Sequence, residues 1–345
     1  MMEKFTQPEE LIGFQLIHDV YTRNKKLLIA AATILTKEHV RMLQLHKITL
    51  TSKDVKNAGP YSPVPPNEES QLINEMVSRL YPFFQEIQHT KKIMLGELRK
   101  QVVPLVQSVV EQPNLLKVLA ALQSKDDYLY RHPIGVAILA TLIGKWMQME
   151  EAELLQLTTA ALLHDIGKLK IPSEILHKPT KLTSDEFEMM KKHTIHGYTM
   201  IKETIGASSR QALVALQHHE RNNGTGYPFG IREENIDLFS QIVSIADVFH
   251  AITSNKVYGG AFPFFQVLDE MNQSSYGALN PAIVRILIAK LMQCLIGNKV
   301  VLTDGSSGVI VMINPFDPIH PMIQTDASFV DLRKEPSIQI EQIIP

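Results

Sequence analysis

Residues 162–168, Leu162-Leu163-His164-Asp165-Ile166-Gly167-Lys168, close an apolar run that begins at Leu154 and Leu155 and passes through Leu157, Ala160 and Ala161. A helix of that composition belongs in a core, yet it ends in an imidazole, a carboxylate and a glycine. Polar groups at the closed end of an apolar element are costly unless something satisfies them. A metal ion accepts an imidazole and a carboxylate together. An isolated His-Asp pair is more often a helix cap or a mutual hydrogen bond, so the weight falls on what else in the chain converges there.

Four further places put imidazole or carboxylate where apolar packing is expected. His132 opens a helix that continues through Ile134, Val136, Ile138 and Leu139. A capping box, Thr183-Ser184-Asp185-Glu186, starts another helix, with Phe187, Met190 and His193 on one face. His218 and His219 end the run Ala212 to Leu216, and Asp247 is embedded between Ile242 and Phe249. Each has a bland explanation as a hydrogen-bonded core residue. Together they are harder to dismiss, because unrelated intrusions would each need separate compensation. Five imidazoles and two carboxylates exceed the needs of one ion and suit two ions sharing a bridging carboxylate and a bridging hydroxide. With no cysteine among them, an iron or manganese pair suits the set better than a structural zinc.

The surrounding chain is organised as follows. Residues 1–57 mix short apolar runs with a helical segment over Lys37 to Leu45 and suggest a small α+β module; its histidines, His18, His39 and His46, sit among surface-type neighbours. Residues 58–70 hold Gly59, Pro60, Pro63, Pro65 and Pro66 and are expected to be a linker. Residues 71–296 are helical by period, with Leu72, Met76, Leu80 and Phe84 recurring every four positions. Residues 297–345 switch to a period of two around the Asp304-Gly305 turn and predict a C-terminal β module, a small antiparallel sheet or barrel. The fold class is therefore mainly α, an all-helical bundle with a β-containing module at each end.

A formal net charge of -2 over 345 residues offers no basic surface for a nucleic acid polymer. The lone Cys294 excludes an internal disulfide framework and fits a reducing compartment. The apolar run Leu27 to Leu35 is too short to cross a bilayer, which takes about 20 residues. A cytoplasmic protein with no transmembrane segment is expected.

The order His164-Asp-Ile-Gly-Lys168, Ile171-Pro172, Lys178-Pro179, Lys181-Leu182-Thr183, His193, His218-His219-Glu220-Arg221 and Asn223-Gly224-Thr225-Gly226-Tyr227-Pro228 closely resembles the HD-GYP family of the HD phosphohydrolase superfamily. The resemblance covers roughly residues 124–282 and implies an HD-type bundle that hydrolyses cyclic di-GMP to pGpG, and further to GMP, through a two-metal-activated hydroxide. It makes His132, His164, Asp165, His193, His218, His219 and Asp247 metal ligands, with Asp165 bridging. It places Lys168 near the scissile phosphate, so that Asp165 and Lys168 carry the catalysis. Gly226, Tyr227 and Pro228 then form a loop for substrate access and for diguanylate cyclase (GGDEF) partners, and a homodimer is a further expectation.

The chain departs from the family pattern at three positions. His250 stands where many members carry aspartate, Lys256 ahead of Tyr258 where they carry arginine, and Tyr128 where three-metal members carry glutamate. Two metals are therefore expected rather than three. His250 shares a helical face with Asp247 and is placed behind the ligands or at the surface. Lys256 meets a phosphate or guanine as a point charge without the fork of arginine. Hydrolysis of another cyclic dinucleotide or nucleotide, and a non-catalytic module that binds metal and nucleotide, stand as alternatives.

Overall fold

The computed structural model describes residues 68–122, 128–178, 180–255, 264–275, 277–326 and 328–344, together with residues 11, 14–21, 27–29, 33, 35, 39, 40, 43, 48–51 and 53–57 near the N-terminus. Lys256, Tyr258, Pro179, His46 and most of the 58–70 linker lie outside the described residues, as does the side chain of Tyr128. The chain divides into two compact units, Met1–Pro66 and Asn67–Pro345.

In the first unit, β1 (Phe14–Leu16) pairs antiparallel with β4 (Val55–Asn57), and β2 (Val20–Tyr21) with β3 (Leu27–Ile29). Leu11, Leu16, Val20, Ile29, Leu35, Val40, Leu43, Leu50 and Val55 form its core. His18 is exposed and His39 half-buried.

The second unit begins with α1 (Glu68–Thr90), inside the segment expected to be linker; Glu68 and Glu69 occupy its first turn, where carboxylates complement the helix dipole. Ile73, Met76, Val77, Leu80, Phe84 and Ile87 are buried, the three-and-four spacing of an amphipathic face. There follow α2 (Leu95–Gln101), α3 (Val103–Val110), α4 (Leu115–Leu122) and α5 (Tyr128–Trp146). α5 is the central element: Ile134, Val136, Ala137, Ile138, Leu139, Ala140 and Ile143 point in all directions around it and all are buried. A helix apolar all round needs neighbours on every side. α1, α3, α6 (Glu151–Leu163) and α10 (Leu238–Asn255) supply them. The α5 helix starts before His132 rather than at it, and it carries Pro133.

Between α6 and α10 lie a 3-10 turn (Ile166–Lys170), the single-turn α7 (Ser173–Leu176), α8 (Ser184–Lys202) and α9 (Ser209–Gln217). The expected capping box opens α8: Thr183 Oγ1 accepts from the Glu186 amide at 3.3 Å and Glu186 Oε2 accepts from the Thr183 amide at 2.7 Å. Ser208 and Gln211 cap α9 in the same way.

After α11 (Phe264–Ser274) and α12 (Pro281–Gln293) the chain becomes an open sheet rather than a barrel. It comprises β5 (Lys299–Leu302), β6 (Ser307–Asn314), β7 (Asp317–Thr325), β8 (Phe329–Asp331) and β9 (Ile340–Ile344), in the order β8-β7-β6-β5-β9 with every pairing antiparallel. Gly305 sits at φ 83° in the β5–β6 turn, a conformation open to glycine, while Asp304 Oδ1 accepts from the Ser306 amide at 2.9 Å. Val300, Leu302, Ile310, Ile323, Leu332 and Ile340 join the same core as the helices. No helix among the described residues is long and apolar enough to cross a membrane.

Candidate metal centre

The ends and inner faces of five helices bring the polar intrusions together. His132 comes from α5, His164 and Asp165 follow the last turn of α6, His193 lies in α8, His218 and His219 follow α9, and Asp247 comes from α10. Asp165 is the hub. Its Oδ2 lies 3.3 Å from His164 Nε2 and 3.8 Å from His132 Nε2, while its Oδ1 lies 3.4 Å from His193 Nε2 and 3.7 Å from His218 Nε2. Two donor groups result, Asp165 with His193, His218 and His219, and Asp165 with His132 and His164; within each, the ligand atoms lie within 4.8 Å of one another. Asp247 reaches the second group through His132, with Oδ1 3.0 Å from Nε2.

Three imidazoles are oriented from behind. His164 Nδ1 lies 2.8 Å from the Ala161 carbonyl, His193 Nδ1 2.8 Å from that of Met190, and His218 Nδ1 3.0 Å from that of Val214. A carbonyl only accepts, so Nδ1 carries the proton and the neutral ring keeps its Nε2 lone pair for the interior. His164 Nε2 and Asp165 Oδ1 are buried and make no hydrogen bond among the described residues, a state that a buried polar atom rarely sustains. A cation is the partner this donor set fits, and the His/Asp cluster is a metal-binding arrangement.

The protonation states agree. Burial pushes His193 down to about 4 and lowers His218, and burial together with the neighbouring His218 holds His219 well below the usual imidazole range. Burial alone would lower His164 as well, but the Asp165 charge turns the net shift upward. Burial would raise both carboxyls; the Lys168 and His164 charges overcome it at Asp165, and the His132 hydrogen bond and charge overcome it at Asp247, so both stay ionised well below the carboxylate range.

A pH dependence follows for the metal-free protein. His193 titrates near 6.5 when unfolded and about 4 when folded, so between those values the unfolded chain binds a proton that the fold refuses. That part of the stability is complete above 6.5 and is lost as pH falls toward 4. The lowered carboxyls act in the same sense at still lower pH, with their contribution lost on acidification; His164, shifted upward, works against them. The melting temperature in chelator is expected to fall from pH 7 to pH 4, and His193→Gln to flatten the upper part of that fall. A flat wild-type profile would contradict the burial of neutral His193.

Lys168 Nζ lies 2.5 Å from Asp165 Oδ2, so its ammonium rests on the hub carboxylate. Beside it, a cavity of about 40 Å³ is lined by Phe84, His132, Pro133, Leu162, Asp165, Ile166, Lys168 and Leu169. On the other side, Tyr227 stacks on His219 with ring centroids 4.6 Å apart, and Phe187 and Lys191 flank it. Burial raises the Tyr227 phenol, which stays protonated.

Glu220 shapes this loop, a role absent from the sequence reading although the residue directly follows the histidine pair. Only 2% exposed, it accepts from the Phe229 amide at 2.8 Å and the Ile231 amide at 3.1 Å. Gly226 is required by close approach, since a Cβ there would stand 2.4 Å from the Arg221 amide nitrogen and 2.5 Å from the His219 carbonyl oxygen. Glu220→Ala strands two amides, at about 1 to 3 kcal/mol each. It is expected to speed proteolysis within residues 222–231 and to lower the melting temperature; unchanged cleavage would contradict the anchoring role.

Of the two placements expected for His250, behind the ligands or at the surface, the structure shows the first: it is 2% exposed, with Nδ1 3.1 Å from His132 Nδ1. Gly226, Tyr227 and Pro228 lie beside the cluster, joined to it through the Tyr227 ring stacked on His219.

The HD domain family matches residues 111–282. The chain is 33% identical over 204 residues to the cyclic di-GMP phosphodiesterase PA4108 of Pseudomonas aeruginosa, covering 59% of this chain and 49% of that protein. It is 33% identical over 158 residues to the 3'3'-cGAMP-specific phosphodiesterase 3 of Vibrio cholerae serotype O1, covering 46% of this chain and 34% of that protein. It thus spans about half or less of the length of these curated relatives. The fold is similar to that of Bd1817, an HDG"Y"P protein from Bdellovibrio bacteriovorus, with a TM-score of 0.51 at 17% identity over 83% of this chain and 98% of that one. The chain belongs to the HD domain family. Within it, the His164-Asp165, His218-His219 and Gly226-Tyr227-Pro228 segments mark the HD-GYP type.

Proposed function

We propose that this protein is a metal-dependent phosphodiesterase that hydrolyses cyclic di-GMP to pGpG, and on to GMP, with two divalent cations, iron or manganese, held by His132, His164, Asp165, His193, His218, His219 and Asp247. The observation that carries the reading is the division of labour at Asp165, whose two oxygens face two separate groups of imidazoles. When bound, such ions lower the pKa of a water toward neutrality and offset charge on a phosphoryl oxygen.

The chain's own residues do the rest. The backbone carbonyls behind His164, His193 and His218 keep these rings aimed inward. The Lys168 ammonium, poised on Asp165, moves to the phosphate as substrate enters and offsets the charge that grows there. Tyr227 closes one wall of the site and offers its phenolic proton, and Lys256 meets phosphate or guanine. The supporting experiment is anaerobic purification with metal analysis, followed by incubation with cyclic di-GMP and separation of the products; pGpG is expected, and intact dinucleotide from fully loaded protein would point to a binding module.

A second reading keeps the site and changes the base. The similarity to a 3'3'-cGAMP-specific relative favours it, as does lysine at 256 in place of the arginine fork. Comparing kcat/KM for cyclic di-GMP and 3'3'-cGAMP decides between the two. We further propose residues 1–57 and 297–345 as accessory modules, a cytoplasmic setting consistent with the lone exposed Cys294, and a homodimer. The loop bearing Phe229, 64% exposed, is the proposed contact for a GGDEF protein; Phe229→Ser is expected to abolish co-purification without loss of turnover.

A further inference from the structure

His132 is held differently from the three imidazoles that lean on helix carbonyls. Its rear nitrogen, Nδ1, lies 3.1 Å from Nδ1 of His250, and its Nε2 faces Asp247 Oδ1 at 3.0 Å and Asp165 Oδ2 at 3.8 Å. Two ring nitrogens at that distance share one proton, so one ring donates and the other accepts. Space for the second ring is built into α5: a Cβ at Gly135 would stand 2.1 Å from His250 Nε2 and 2.2 Å from its Cδ2. His250 is thus seated on a glycine and turned to the back of His132.

We infer that His250 is a positioning residue for the cation on the His132 side, that it fixes the tautomer of His132, and that Gly135 is its seat. This rests on the two-cation reading above. A His132 ring that offers its Nε2 lone pair to a cation carries its proton on Nδ1. The acceptor of that proton is His250 Nδ1, which places the proton of His250 on Nε2.

The test uses the full chain with histidine labelled in its ring nitrogens and zinc as a diamagnetic probe. Two-bond nitrogen–proton correlation spectra of the zinc-loaded protein are expected to show His132 protonated at Nδ1 and His250 at Nε2. A proton on His250 Nδ1 in the loaded protein would overturn the inference. In competition titrations, His250→Leu is expected to weaken zinc binding at this position about 10- to 100-fold, the loss typical when a partner behind a metal-bound imidazole is removed. His250→Asn, whose side-chain oxygen can accept from His132 Nδ1, is expected to stay close to wild type, as a merely space-filling role for His250 would not predict. Gly135→Ala evicts the ring and should reproduce the His250→Leu loss in a protein that still folds by circular dichroism. Equal affinity in wild type, His250→Leu and Gly135→Ala would overturn the inference. Zinc uptake and ring protonation are read without substrate, so this test and the hydrolysis test fail separately.

Discussion

Asp165→Ala is expected to empty the centre of metal and to abolish turnover, while leaving the helical bundle folded. The carboxylate stands between both donor groups, with one oxygen 3.3 Å from His164 Nε2 and the other 3.4 Å from His193 Nε2. Its removal takes one ligand from each group and leaves imidazoles facing one another. Lys168→Ala is the informative contrast. In the proposed role Lys168 contributes charge without ligating, so its loss should leave metal content unchanged and lower kcat by roughly 10²- to 10³-fold, the range for a lost contact to developing charge. Metal analysis and steady-state rates on both variants check this together. Equal metal loss in the two would show that Lys168 holds the centre together rather than serving the phosphate.

Gly167→Ala should be the most damaging small substitution. The turn after His164-Asp165 runs so close to α8 that a Cβ on Gly167 would stand 1.9 Å from the His193 carbonyl oxygen and 2.5 Å from the Gly197 nitrogen. Both are backbone atoms and cannot rotate away, so the turn and α8 must part. That separates Asp165 from His193, and the overpacking costs about 3 kcal/mol. A melting temperature lower by roughly 6 to 12 °C follows, with weakened metal binding. Gly96→Ala is the control: nothing lies within 4 Å of a Cβ there, and replacing a helical glycine should raise stability by about 0.5 to 1 kcal/mol. Similar melting temperatures for the two variants would contradict the close-approach argument.

The contrast between these glycines marks what is legible in sequence. Helices were legible where burial follows a period, as from Ile73 to Ile87 in α1, and so were the Thr183 capping box and the Asp304-Gly305 turn. The start of α1 was not, because Glu68 and Glu69 are helix-opening residues inside a proline-rich stretch and only the folded neighbours decide which tendency wins. At the site, buried imidazoles stood out because each interrupts an apolar run. Glu220 and Gly135 did not, since one serves backbone amides nine and eleven residues ahead and the other makes room for a ring from α10. Contacts between elements leave no local period. His250 lay between these cases: its face was readable from Asp247, whereas its burial against α5 depended on Gly135.

In the proposed centre one carboxylate, Asp165, joins two cation positions. The number of metal ions per chain in anaerobically purified protein, taken alongside product formation from cyclic di-GMP, tests this. Two ions per chain and conversion to pGpG are expected, with activity falling as the ions are chelated and returning when iron or manganese is restored. One ion or none in active protein, or turnover indifferent to chelation, would contradict it.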